Sequence, residues 1–223
     1  MTQFVFIGFA LVLLASGIAQ LRALRKRSAA RARYFNAVTP MFEHVMLRLE
    51  PSGFPRLTAQ RDGHAFDLRA VQDSLTYRKL PVLWVMISLP EALPVKATLD
   101  VMTRATGQES FSNYATLHHS LSCPDFLPEG TGVRSDDAAN IIPLVLLERH
   151  ANLFDDVRIK EVLISPKGIR IVILGEEAER GQYLLFRDAE VGRKPLAAAR
   201  LQSMLDAILA IRHDVMSQQG PDR

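Results

Sequence analysis

The sequence predicts an α+β protein: a single N-terminal transmembrane helix and helical stalk, then one cytoplasmic domain with a largely antiparallel sheet packed by helices. Three observations carry this. Residues Phe4 to Ala19 (FVFIGFALVLLASGIA) hold no charge. The turn strings Asp62-Gly63 and Ser165-Pro166-Lys167-Gly168 each separate runs with strand patterning. Near the C-terminus, Leu201, Leu205, Ile208 and Val215 recur at helical spacing.

The uncharged run covers roughly 24 Å at about 1.5 Å per residue, against a hydrocarbon core about 30 Å thick. Leu21 and Leu24 extend it if Arg22 snorkels outward. The run is apolar on all faces, unlike the striped surface helix of a soluble protein. A cleaved signal peptide would carry positive charge ahead of the run, and Met1-Thr2-Gln3 has none. The basic residues come after it: Arg22, Arg25, Lys26, Arg27, Arg31 and Arg33, with no acid among them. By the positive-inside rule this side stays in the cytoplasm and the N-terminus faces out. The expected location is a cell membrane, specifically a bacterial inner membrane, crossed once.

These six residues are the expected membrane-surface contacts, each worth about 1 kcal/mol against anionic lipid headgroups. They also account for the basic balance. Setting them aside turns the formal net charge of +3 into a mildly acidic remainder, which argues against nucleic acid as a partner. The chain thus divides into a transmembrane helix (1–21), a basic juxtamembrane stalk (22–38), a cytoplasmic α+β domain (39–216) and a disordered tail (217–223). Its 223 residues leave no room for several catalytic domains. Apolar residues at 48% and charged residues at 23% describe a chain that can bury a core. The lone Cys123 excludes an intramolecular disulfide and a cysteine-cluster zinc site.

In chain order, the alanine- and arginine-rich stretch to Ala37 continues the first helix into the stalk. Thr39 and Pro40 suit the cap and first position of a second helix, with Phe42, Val45, Met46 and Leu49 on one face. Asp62-Gly63 at a hairpin tip pairs Arg61 with His64, Ala59 with Phe66 and Leu57 with Leu68. That register places Leu57, Ala59, Phe66 and Leu68 on one buried face. Between Pro81 and Pro90, VLWVMISL is apolar on both faces and reads as a central strand. Val95, Ala97, Leu99 and Val101 alternate with Lys96, Thr98 and Asp100 as a half-buried strand.

Residues 107–132 are a long irregular connection, and Ser135-Asp136-Asp137 reads as a cap opening a short helix. A further helix begins at Pro143 and ends near His150. Strands at Val157 to Ile164 and Ile169 to Leu174 flank the Pro-Lys turn, and a third, Tyr183 to Arg187, follows the acidic loop Glu176 to Glu179. Pro195 starts the last helix, which should lie across the sheet. A chain beginning near Thr39 is expected to fold cooperatively without the anchor.

Reaction chemistry is sparse. His118-His119, with Cys123 and Asp136-Asp137 downstream, lacks metal-ligand spacing, because adjacent residues in an extended segment point to opposite sides. Asp155-Asp156 fits a helix end turning into a strand. Cys123 has Pro124-Asp125 beside it and no base, so an inert thiol is expected. No dinucleotide, Walker, nucleophile-elbow or zincin string occurs. No enzyme activity, cofactor or metal is expected.

The sequence therefore points to a membrane-anchored accessory, assembly or regulatory protein acting through contacts with an integral membrane protein or complex. A homo-oligomer is compatible with the small-residue steps Gly8, Ala15 and Ala19. The alternative is a tethered ligand-binding or enzymatic domain with its site in residues 107–137, near His118, His119 and Asp136.

Overall fold

Alanine, leucine and arginine sustain a helix without interruption from Thr2 to Ala32 (α1, 31 residues). The computed structural model describes residues 2–73, 80–105, 109–186 and 190–218, and the side chains of 2–12, 182, 185 and 186 fall outside that description. The expected span over residues 1–21 rests largely on side chains outside it. Among the described residues, no helix is long and apolar enough to cross a membrane. The expected disordered tail, 217–223, also lies mostly outside; Ser217 is still helical.

Among the described residues, nine strands form one antiparallel sheet: β1 (Glu43–Leu49), β2 (Pro55–Arg61), β3 (His64–Asp73), β4 (Val82–Leu89), β5 (Leu99–Met102), β6 (His119–Leu121), β7 (Gly132–Ser135), β8 (Ile159–Ser165) and β9 (Gly168–Glu177). Their order across the sheet is β1-β2-β3-β4-β9-β8-β5-β7-β6. The first four form a meander. After β4 the chain crosses to the far side, builds β5, β6 and β7, and returns as the β8–β9 hairpin that fills the gap. The remaining helices are α2 (Val145–Glu148), α3 (Arg180–Phe186) and α4 (Ala198–Ser217).

The expected hairpin has the expected register, Leu57 opposite Leu68, Ala59 opposite Phe66 and Arg61 opposite His64. Asp62 at φ 52° and Gly63 at φ 78° make the turn left-handed at both central residues, as a type I′ turn requires. Leu57, Ala59, Phe66 and Leu68 are all buried on the inner face. There they join Leu83, Val85 and Ile87 of β4 and Ile169, Ile171 and Ile173 of β9. Helix α4 covers this face with Leu201, Met204, Leu205, Ile208, Ile211 and Val215. The central strand and the Pro166-Lys167 turn are likewise as expected, with Ser165 opposite Gly168.

Several expected elements differ. The helix expected from Thr39 is a single 3-10 turn, Thr39–Met41, followed by strand β1. A bulge between Glu43 and Met46, with His44 at φ 49°, breaks the two-residue alternation, so the apolar positions mimic helical spacing. The strand expected over Val95 to Val101 is only Leu99–Met102, and all four of its residues are buried, Asp100 included.

Ser135-Asp136-Asp137 opens no helix. Asp136 instead accepts from the Thr98 backbone N–H (2.7 Å) and hydroxyl (2.8 Å), and Asp137 accepts from the Ala139 N–H (3.0 Å). These bonds make it a loop staple between strands. The helix expected from Pro143 to His150 is reduced to α2. Tyr183 to Phe186 are helical rather than a third strand, and Arg187 lies outside the described residues. Strand β9, which precedes them, is already paired on both sides, so it had no free edge to receive them. Glu176 and Glu177 end β9 instead of forming a hairpin tip.

The end of the stalk is part of the core. Tyr34, Phe35 and Val38 are fully buried. The Tyr34 ring meets Phe35 (5.3 Å) and Phe54 (5.6 Å) edge-on, and its carbonyl accepts from the Leu196 N–H at 3.0 Å. The core thus begins before the expected domain boundary at residue 39.

Candidate functional site

The most unusual chemistry lies on the outer face of the sheet, opposite α4. Alternation puts Asp100 and Met102 of β5, Arg134 of β7, and Met86 and Trp84 of β4 on this face. A bulge in β8 between Ile159 and Glu161 adds both Lys160 and Glu161 to it. An arm, residues 109–118, closes over the layer. Its Phe111 and Tyr114 are buried against Met86, Met102 and Val172, with Phe111 5.3 Å from the Trp84 ring.

Under the arm lie buried charges. Lys160 donates to the carbonyls of Thr103 (3.0 Å) and Arg104 (2.8 Å) and pairs with Glu109 at 3.2 Å. Glu161, fully buried, accepts from Arg170 Nε at 2.7 Å and from the Ser112 hydroxyl. Arg134 donates to the carbonyls of Ala115 and Leu117 and stacks over the Tyr114 ring at 5.1 Å. Burial raises the Tyr114 phenol above its ordinary value, partly offset by Arg134.

Asp100 is the exception. It is 0% exposed, and neither carboxyl oxygen has a hydrogen-bond partner among the described residues. Desolvation, followed by the negative charge of Glu161, pushes its pKa up to about 8. Sequence reasoning placed Asp100 on a solvated strand face. The covering rings come from a segment of poor periodicity, so no local signal announced its burial.

The residues singled out from sequence do not converge. His118 and His119 are exposed. His119 sits near enough to Asp137 for its charge to reinforce the Asn140 and Ala139 hydrogen bonds that hold that carboxylate low. Cys123 is exposed, and its thiol is raised above the ordinary range by partial burial and by Asp125, opposite to activation. Asp156 accepts from the Arg158 N–H at 2.9 Å after a 3-10 turn ending at Asp155. Glu176 accepts from the N–H groups of Gly192 (2.6 Å) and Arg193 (3.0 Å). No group of three or more metal-ligating side chains occurs among the described residues.

The six basic stalk residues separate into two sets. Arg22, Arg25, Lys26 and Arg33 are exposed around the helix. Arg27 pairs with Glu190 at 2.8 Å, and Arg31 lies 5.6 Å over the Phe54 ring, so these two tie the helix to the domain. No known family model matches this chain, and a search of curated proteins finds no match to it.

Proposed function

We propose that this chain is a membrane-anchored cytoplasmic accessory or regulatory protein, with α1 as its transmembrane anchor and the sheet domain as the part that meets a partner within a membrane complex. The observation that supports this most is the joint between helix and domain. Tyr34, Phe35 and Val38 lock the end of α1 into the core, while an uncharged run precedes it and four basic residues stand free around it. A flexible tether would need none of this packing; a rigid joint fixes the domain's height and orientation over the bilayer. Strand β1, at one edge of the sheet, leaves Met46 (68% exposed) and Leu49 (61%) uncovered, which suits contact with another protein.

Membrane fractionation of the full chain tests the anchor. The chain should remain in the pellet through alkaline carbonate and about 1 M salt, which screens headgroup attraction, and leave only with detergent. Release by salt alone would reduce the anchor to a surface contact. A tag after Arg223 should resist protease added outside intact cells, because six basic residues follow the apolar run and none precede it. Digestion of that tag would reverse the orientation.

A further inference from the structure

We propose that the arm, residues 109–118, is a proton-held flap: it stays closed over the outer face of the sheet while Asp100 is protonated and loosens when Asp100 ionises. The buried carboxyl of Asp100, with no hydrogen-bond partner on either oxygen among the described residues, carries the argument. Glu109 is matched by Lys160, and Glu161 by Arg170. Asp100 faces Arg134 across β7, Glu161 and Lys160 on β8, Arg170 on β9, and Glu109, Ser112 and Tyr114 from the arm. Arg134 directs Nη1 to the Ala115 and Leu117 carbonyls, and Lys160 and Arg170 pair with other acids; none of the three hydrogen-bonds to Asp100. An ionised Asp100 would be fully buried beside Glu161 with no hydrogen bond from a described residue to either oxygen, a cost the charge of Arg170 offsets only in part, so the closed arrangement fits a neutral Asp100. The raised affinity of this carboxyl for its proton, caused first by its burial, agrees with that.

When the proton leaves, water must reach the carboxylate. Strand β5 is hydrogen-bonded on both sides, to β7 and β8, and the main core, which takes in Leu99 and Val101, seals its other face. The arm is the yielding layer, because side chains rather than strand pairing hold it: Phe111, Tyr114, Ser112 and Glu109 from the arm, and Arg134 on its Ala115 and Leu117 carbonyls. Trp84, the only tryptophan of the chain, packs on Phe111 and reports the motion.

The test uses the full chain in non-ionic detergent micelles, following Trp84 emission and amide exchange from about pH 6 to about pH 9.5. A transition with its midpoint near pH 8 is expected. Trp84 emission should shift, and exchange over residues 109–118 should rise roughly tenfold beyond the intrinsic effect of base, with α4 unchanged. Asp100→Asn should abolish the transition and keep the arm closed. Glu161→Gln removes the neighbouring negative charge and should move the midpoint down by about one pH unit. If Asp100→Asn does not fold, the Glu161→Gln midpoint decides, and an unmoved or higher value overturns the proposal. So does a flat wild-type profile, a transition that survives in Asp100→Asn, or exchange in α4 rising together with the arm.

Discussion

At the scale of single residues, Asp100 and Gly132 show how the outer face is constrained. The folded chain holds the Asp100 proton more tightly than the unfolded chain does. Its contribution to stability is therefore fully present below the unfolded value near pH 4 and lost as pH rises toward about 8. Urea titrations of the full chain in micelles should accordingly show Asp100→Asn gaining on the wild type between about pH 5 and pH 8. A constant difference across that window would mean that Asp100 is already ionised in the folded state. At Gly132 a Cβ would overlap the Tyr114 hydroxyl. Gly132→Ala should expel that ring and cost about 1 to 3 kcal/mol, read as a lower urea midpoint. Little of this was legible in the sequence. Asp100 sits in an alternation that reads as solvated, and Gly132 in a stretch that reads as loop.

At the scale of elements, legibility followed how local the deciding interaction is. The β2–β3 hairpin was readable because its turn, its register and its buried face all lie within residues 55–73 and agree with one another. The β8–β9 turn and the apolar face of α4 were readable for the same reason. Strand β1 and helix α3 were misread because each is decided elsewhere in the chain: β1 by pairing to β2 through a bulge, α3 by the lack of a free neighbouring strand. The hairpin turn provides a direct check. Gly63 at φ 78° has open space around it, so a substitution there meets backbone strain rather than a clash. Gly63→Val should cost about 1 to 2 kcal/mol, while Gly63→Asn, which tolerates that conformation, should cost a few tenths. Equal urea midpoints for the two would show that the turn is not left-handed.

At the scale of the whole molecule, the decisive contact is the one that joins the stalk to the sheet. From sequence alone, Pro40 marked a break, and the domain was expected to fold from Thr39 onward. The basic spacing around Arg31 gave no hint that Tyr34, Phe35 and Val38 turn inward, because three apolar residues in a turn carry no periodicity. Their burial changes the outcome of trimming the chain. Truncating a buried aromatic side chain costs about 3 to 5 kcal/mol. Removing two such side chains and a valine together therefore costs on the order of 10 kcal/mol, against a total domain stability of about 5 to 15 kcal/mol. A chain beginning at Thr39 should be insoluble or lack a cooperative urea transition. One beginning at Ser28 keeps the Tyr34–Phe54 contact and the Leu196–Tyr34 hydrogen bond and gives up the contacts of Arg27, its pair with Glu190 among them, so it should fold cooperatively. Cooperative unfolding of both at similar midpoints would mean that the stalk merely rests on the domain. The rigid positioning on which the proposed membrane role depends would then have no structural basis.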